Sequence, residues 1–508
     1  MRSKKAVYNL ISYAIYEIVS FLKNIFIGHL ILVAYGSDYN GLISSITQII
    51  SIFAIVRAGI FGATRVGLFK PLSNGDNVRV SRLVNTCAKS MRKITILLVV
   101  YVFVLAFVYP LFVNTNIVNY EVIFLVVLLG STTIAEYLFG FSNQVLINAD
   151  QSIYIYTIIQ TILLVLSGIS SYICISLDSS FVVMKTISCL ITAIAPIVLS
   201  LVVRKKYNIK KGLYLDDEEA KQLSSNRKSA MWHALSTIVN DRADIVLITI
   251  FMTTKDVSVY SVYFLIVNVI THLFNSICDT FSASFGSMYA NDEIEKFKKY
   301  YMVYEYIVSI FVILVFSCTI AMLCPFVSIY TKGVEDAEYI LPIFAVLVAS
   351  VGMLSCIKTP YYTVVVMAGH YQQTKKMAAV EPIVNLTASI ILIKFLGLYG
   401  VLAGSIISGF YWIITFVKYS NNQIMLEKSN RSFVFLGMVI SLTFGVAILQ
   451  SFVLSFLRID NYLMLMLSGF ISITISGLVC LIYTAIFKRN EFKILVEFFK
   501  GIMKKKSA

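Results

Sequence analysis

Charge is scarce in this 508-residue chain: Asp, Glu, Lys and Arg make up only 14% of it, against about a quarter of an ordinary soluble domain. Histidine (four), proline (seven) and tryptophan (two) are scarcer still. There is no Cys-x-x-Cys, and the eight cysteines are scattered, most of them inside apolar stretches, which leaves neither a zinc framework nor a dithiol redox site. His29, His233, His272 and His370 show no metal-ligand spacing, and no Gly-x-x-x-x-Gly-Lys-Ser/Thr loop is present to cradle nucleotide phosphates. No cofactor is expected. What fills the chain instead is apolar surface: 58% of residues are hydrophobic, with a mean hydropathy of +0.83. A soluble protein of this composition would expose far more apolar area than soluble proteins tolerate, and disorder requires the opposite composition. The chain reads as an all-α polytopic membrane protein.

Cutting at polar breaks gives about 14 transmembrane helices, at 7–34, 40–68, 93–113, 121–145, 152–176, 181–203, 228–252, 257–285, 304–331, 339–367, 374–396, 398–417, 432–457 and 461–487. Each is long enough to cross about 30 Å of hydrocarbon at 1.5 Å per residue. The opening Met1-Arg2-Ser3-Lys4-Lys5 resembles a signal-peptide start, but Glu17 and Lys23 interrupt the following apolar run, so it reads as a retained first span. Placing the N-terminus in the cytoplasm puts 32 of the 42 lysines and arginines on the cytoplasmic side and only Lys255, Lys332, Lys394 and Arg458 outside. That asymmetry is the positive-inside signature, with both termini cytoplasmic and the protein in the cell (cytoplasmic or inner) membrane. The net charge of +15 then reflects topology and attraction to anionic lipid, with no need for nucleic acid. Beyond the last span, Phe492, Leu495, Val496, Phe499 and Ile502 fall at helical spacing opposite Lys493, Glu497, Lys500 and Lys504, an interfacial amphipathic helix over 488–508.

A weak internal repeat sets the domain organisation. Ile18-Val19 aligns with Ile238-Val239, Asn24-Ile25 with Asp244-Ile245 and Tyr39 with Tyr260, and the turn at Asn148–Gln151 recurs about 220 residues later at Met367–His370. The expected plan is an N-terminal lobe of six spans (1–203), a cytoplasmic linker (204–228), a second six-span lobe (229–417), two further spans (418–487) and the tail.

Ionisable residues within spans cost at least a few kcal/mol each and suggest function by default. At about 1.5 Å per residue, Lys23 lies about 24 Å in from the cytoplasmic end of span 1, Arg57 about 16 Å into span 2, Arg242 about 20 Å into span 7 and Lys358 about 14 Å into span 10. Converging, these four would line a cationic cavity suited to an anionic headgroup such as a diphosphate, which Arg grips through two parallel hydrogen bonds. Glu17, Asp241 and Asp244 are the expected coupling or structural partners: Glu17 at similar depth as a carboxylate for Arg57, and the two aspartates beside Arg242. Arg65, Asp279 and Glu381 lie near the interface, and Lys185 near the outer end of span 6, where a long side chain snorkels to water. Pro360 and Pro382 kink spans 10 and 11, while Gly400, Gly404 and Gly409 in span 12, with Gly59 and Gly62 in span 2, permit close helix approach.

The stretches Tyr35-Gly36-Ser37-Asp38-Tyr39-Asn40-Gly41-Leu42, Phe69-Lys70-Pro71-Leu72 with Asn74-Gly75-Asp76, and Glu381-Pro382-Ile383-Val384-Asn385-Leu386 through Leu396-Gly397-Leu398-Tyr399-Gly400 to Ser405 resemble polysaccharide repeat-unit flippases. These are the Wzx-type members of the multidrug/oligosaccharidyl-lipid/polysaccharide (MOP) flippase superfamily. The resemblance covers nearly the whole chain in span number, order and hairpin character. It implies two six-helix lobes (MATE-like) plus two C-terminal helices around a central cavity. It further implies alternating access that carries a polyprenyl-diphosphate-linked oligosaccharide from the inner to the outer leaflet for capsule, O-antigen or exopolysaccharide assembly, beside other polysaccharide-assembly proteins. No bond is made or broken in such a process. The alternative is a cation-coupled exporter of the multidrug-and-toxin extrusion class, whose essential buried groups would be carboxylates such as Glu17 or Asp244. A polysaccharide polymerase or ligase would require a long outer loop rich in His, Arg and Asp, and the sequence has none.

Overall fold

The computed structural model describes residues 2–210, 212–216, 218–219 and 242–506. Within them the structure is almost wholly helical, and twelve helices are long and apolar enough to cross a membrane. They coincide with twelve of the fourteen expected segments. The other two account for themselves differently. Segment 40–68 is two helices, α2 (Ser37–Ser51) and α3 (Ala54–Asn74). Segment 228–252 falls mostly outside the described residues, leaving a helical stretch at 242–251, here α9.

By contact the chain divides into two compact units. The first comprises Met1–Ser261 with Gly333–Ala337. It contains α1 (Arg2–Tyr35), α2, α3, α4 (Asn77–Phe112), α5 (Asn119–Ala135), α6 (Phe141–Ala149), α7 (Tyr154–Ser176), α8 (Phe181–Tyr207) and α9. Local chemistry sets the ends of these helices. Gly75, at φ +70°, closes α3 in the left-handed conformation, and Asp76 then caps α4 by accepting from Arg79 N at 2.9 Å. Ser180 caps α8 in the same way. Between α2 and α3 no proline intervenes. The Ser51 hydroxyl donates to Gln48 O at 2.7 Å, and Ile52 N and Phe53 N bond three residues back, so the helix tightens and restarts. Helix α7 packs against α1 and α8, and α4 against α3 and α5, around a core that includes Leu42, Leu98, Tyr109, Phe141 and Leu199.

The expected linker 204–228 lies partly outside the described residues. Its first part is held along α4: Asn85 donates to Lys210 O and Leu213 O, Leu215 N donates to Thr86, and Arg79 grips Glu219 through two 2.8 Å bonds.

The second unit comprises Val262–Lys332 with Glu338–Ala508. Helix α10 (Thr254–Ala290) begins in the first unit and continues here; α11 (Ile294–Phe311), α12 (Ser317–Tyr330), α13 (Pro342–Met367), α14 (Tyr371–Leu396), α15 (Leu398–Tyr419), α16 (Ser429–Leu454), α17 (Tyr462–Phe487) and α18 (Arg489–Lys506) follow. Pro360 and Pro382 lie inside α13 and α14, as expected. Helices α14 and α15 form a tight hairpin: a β-carbon on Gly404 would sit 2.1 Å from Ser389 Oγ, and one on Gly400 2.3 Å from Leu392 O. The close approach expected at Gly62 is absent, since nothing lies within 4 Å of a β-carbon built there. Helix α18 matches the amphipathic tail, with Leu495 packed on this unit's core and Phe492 left exposed.

Candidate functional site

Among the described residues, π-helical turns interrupt helices at Glu136–Gly140 and Val312–Phe316, and another ends α15 at Ser420–Met425. Such wide turns recur at functional sites because they rotate side chains off the regular helical face. The first joins α5 to α6. Its Glu136 carboxylate accepts from Arg57 Nη1 at 2.9 Å, and the guanidinium lies 5.8 Å from the Tyr137 ring centroid and 5.9 Å from that of Phe141. Gln144, one turn into α6, adds a weak 3.4 Å contact to the same Glu136 oxygen. Tyr156 from α7 and Tyr16 from α1 stand within electrostatic reach of Glu136, and Glu17 lies beside Tyr13 and Tyr16. The wide turn has room because Gly140 faces Pro196 of α8, where a β-carbon would come within 2.8 Å. The carboxylate that holds Arg57 is therefore Glu136 and not Glu17. Arg57 lies in the first turn of α3, just after the α2–α3 break, and from there it reaches the π turn.

Lys23 donates to Ser167 Oγ of α7 at 2.7 Å, its stem resting 3.6 Å from the position a β-carbon would take on Gly168. The charged group nearest to it is Lys185 of α8, and both lie beside Cys189. Lys185 therefore turns inward to Lys23, where an outward reach was expected. Neither lysine pairs with a carboxylate among the described residues. Two lysine amines within electrostatic reach of one another in an apolar setting disfavour carrying charge together, and an anion between them removes that cost.

The remaining candidates are dispersed. Arg242, on α9, hydrogen-bonds the Gln48 side chain of α2, and Asp244 accepts from Tyr260 at 3.0 Å. Asp241 lies outside the described residues. In the second unit Lys358 pairs with Glu381 at 3.3 Å and stands 5.3 Å from the Trp412 ring centroid. Glu381 is only 5% exposed, so it is the buried partner of Lys358 and not an interfacial group. Within the first unit the structure brings Arg57 to a carboxylate, Lys23 to a second lysine and Arg242 to an amide, with no residue bonded to more than one of them. Glu136 and Lys185 were the residues that depth counting missed. Glu136 carried a signal, being the lone charge between Val122 and Ala149.

At the end of the first unit where the lysines and arginines concentrate, Asp150 ties three elements together. It accepts from Lys5 at 2.9 Å, Tyr207 at 2.5 Å and Ser152 at 2.7 Å, and Lys206 stands 3.8 Å away. Burial pushes its carboxyl up, but the bonds from Tyr207, Lys5 and Ser152 outweigh it and hold the group below the ordinary aspartate value.

No protein-family model and no curated protein sequence matches the chain at a significant level. Solved structures do match its fold. A lipid II flippase, MurJ, in an inward closed conformation superposes with a TM-score of 0.68 at 14% identity, covering 96% of this chain and 99% of its own. An inward-facing multidrug resistance MATE family transporter of the MOP superfamily gives 0.62 at 14% identity over 79% of this chain and 94% of its own. A MATE in a bent conformation gives 0.52 at 15% identity over 85% and 97%. This chain has the multi-helix membrane fold shared by MATE transporters and MurJ.

Proposed function

We propose that the protein is a flippase that moves a polyprenyl-diphosphate-linked oligosaccharide repeat unit from the inner to the outer leaflet of the cytoplasmic membrane by alternating access, in the manner of the Wzx-type members of the MOP superfamily. The carrying observation is the pair Lys23 and Lys185, two lysines within electrostatic reach of one another among membrane-spanning helices without a carboxylate among the described residues paired to either. An isolated cation at that depth costs about 2.5–3.5 kcal/mol on insertion scales, and a diphosphate brings the missing negative charge. Arg57 and Arg242 are the first unit's further diphosphate ligands in this reading, released from Glu136 and Gln48 when the substrate arrives. Lys358, held by Glu381, is the second unit's cation. The lobes, the cytoplasmic termini and the surface-polysaccharide pathway belong to the same proposal.

The flippase reading is favoured over cation-coupled multidrug export by coverage as well. The lipid II flippase fold accounts for 96% of the chain, whereas the two MATE folds above account for 79% and 85%. The test is genetic. In a cell that depends on this protein for surface polysaccharide, Lys23→Ala with Lys185→Ala should stop display and accumulate lipid-linked repeat units on the cytoplasmic leaflet, with the protein inserted at normal levels. Normal display by that double variant would refute the diphosphate reading, and drug hypersensitivity in its place would favour export.

A further inference from the structure

Glu305 plays no part in the site above. It lies on α11 of the second unit, one turn before Ser309, and faces α13 and α16 across a small cavity. The lining includes Glu305 and Ser309 from α11, Pro360 and Tyr361 from α13, and Leu436 and Val439 from α16. Its volume, about 10 Å³, admits one water molecule at most. Glu305 Oε1 and the Tyr361 hydroxyl, with the neighbouring Tyr301 hydroxyl, are buried without a hydrogen bond of normal geometry; the two phenols reach Glu305, and Tyr361 also reaches Ser432, only through looser contacts. Tyr301 is 3% exposed and Tyr361 1% exposed. A buried polar atom left unpaired costs about 1–3 kcal/mol, and contacts this loose leave part of that cost standing, which a proton shared between the carboxyl and a phenol would remove.

The surroundings narrow what that is. The cations nearest Glu305 are Arg431, at the start of α16, and Lys488, between α17 and α18. Each has its own carboxylate: Arg431 pairs with Glu427 at 3.7 Å and Lys488 with Glu491 at 3.1 Å. Among the described residues its further titratable neighbours are tyrosines, Tyr301 and Tyr304 from α11 itself and Tyr361 from α13. An oxygen-ligated metal ion takes about six donors. The side chains named around this cavity offer the Glu305 carboxyl, the Tyr361 hydroxyl and a Ser309 hydroxyl already engaged with Tyr306 O and Tyr483. A carboxyl, two phenols and room for one water suit a proton instead. Pro360 adds a mechanical element on the cavity wall, because it removes a backbone hydrogen bond from the interior of α13 and leaves that helix a place to bend.

We propose that Glu305 is a proton-binding site of the second unit, with the Tyr361 and Tyr301 phenols as the partners of its acid form. The Glu305 carboxylate takes up one proton from hydronium of the aqueous phase, leaving water, to form the neutral acid, which donates to the Tyr361 or Tyr301 oxygen; release of that proton to water as hydronium restores the carboxylate. The site stands on its own geometry, and its use as the driving ion rests on the transport reading above.

The test is infrared difference spectroscopy on the full-length protein in lipid vesicles, recorded between high and low pH. The wild type should show a carboxylic-acid stretch that titrates, Glu305→Gln should lose that band entirely, and Glu305→Asp should restore it at a shifted frequency. Tyr361→Phe should move its midpoint while keeping the band. A difference spectrum identical in wild type and Glu305→Gln overturns the proposal, as does a tenfold rise in sodium at fixed pH that displaces the band, since a metal cation would then own the site. If the band behaves as stated but no lipid-linked substrate is moved in the same vesicles, the flippase reading fails and the proton site stands. If substrate moves and no such band exists, the reverse holds.

Discussion

Breaking the pair between Arg57 and Glu136 should separate fold from function. Their closest atoms are 2.9 Å apart and each side chain is 34% exposed, so the pair is neither fully buried nor freely solvated. At an effective dielectric of about 20, two charges about 4 Å apart attract by about 4 kcal/mol, and desolvation offsets most of that. The larger quantity is what either partner loses when left alone in a spanning helix, about 2.5–3.5 kcal/mol. Arg57→Ala and Glu136→Ala should each destabilise the protein by about 3 kcal/mol. The double variant removes both charges together and should cost well under their sum, about 1–2 kcal/mol for the lost ring contacts of the guanidinium with Tyr137 and Phe141. The coupling energy in a double-mutant cycle should thus reach about 3 kcal/mol or more. Unfolding by denaturing detergent in mixed micelles measures it. Surface polysaccharide, measured on the same three variants, should be lost in both variants that lack Arg57, including the refolded double. Additive stabilities would show that the pair is not a unit. Full polysaccharide display by the double variant would make Arg57 a structural residue only.

Three further outcomes follow from contacts elsewhere. A β-carbon on Gly41 would lie 1.8 Å from the backbone oxygen of Thr254, so Gly41→Ala should destabilise by about 1–3 kcal/mol or prevent folding, readable as loss of monodisperse protein in detergent. Gly62→Ala, with nothing within 4 Å, should be tolerated in the same assay. Asp150 has a lowered folded pKa, so its contribution to stability is present above its unfolded value, 3.8, and is lost as pH falls through the lower folded value; Asp150→Asn should flatten that acid limb in a series of melting curves.

Much of this architecture was legible in the residues because lipid enforces simple rules. Long apolar runs must be helices, and cationic loops mark one face, so twelve spans fall where hydropathy placed them. The C-terminal amphipathic helix was likewise visible from the spacing of Phe492, Leu495 and Val496. What hydropathy could not reveal was where a helix breaks without proline. The restart after Ser51 depends on a hydroxyl bonding Gln48 O, and the π turn at Glu136 depends on a single extra residue per turn. Those two local events decide that Arg57 meets Glu136, while depth counting alone pointed to Glu17. Lys185 was misread for a related reason: depth along a helix says how far a side chain lies from water but not which way it faces. The partner of Lys358 followed the same pattern, since Glu381, expected near the interface, lies ten residues into α14 and is buried.

The most direct measurement is movement of the substrate itself. The purified protein is reconstituted into vesicles carrying a polyprenyl-diphosphate-linked oligosaccharide, and a membrane-impermeant sugar-binding probe outside reports how much of the oligosaccharide becomes accessible with time. Wild-type protein should expose the inner-leaflet half within the assay. Lys23→Ala with Lys185→Ala should leave it protected at the level of protein-free vesicles. If the wild type leaves the inner-leaflet half protected, yet expels a cationic dye against an imposed sodium or proton gradient, the protein is an exporter and the flippase account is wrong.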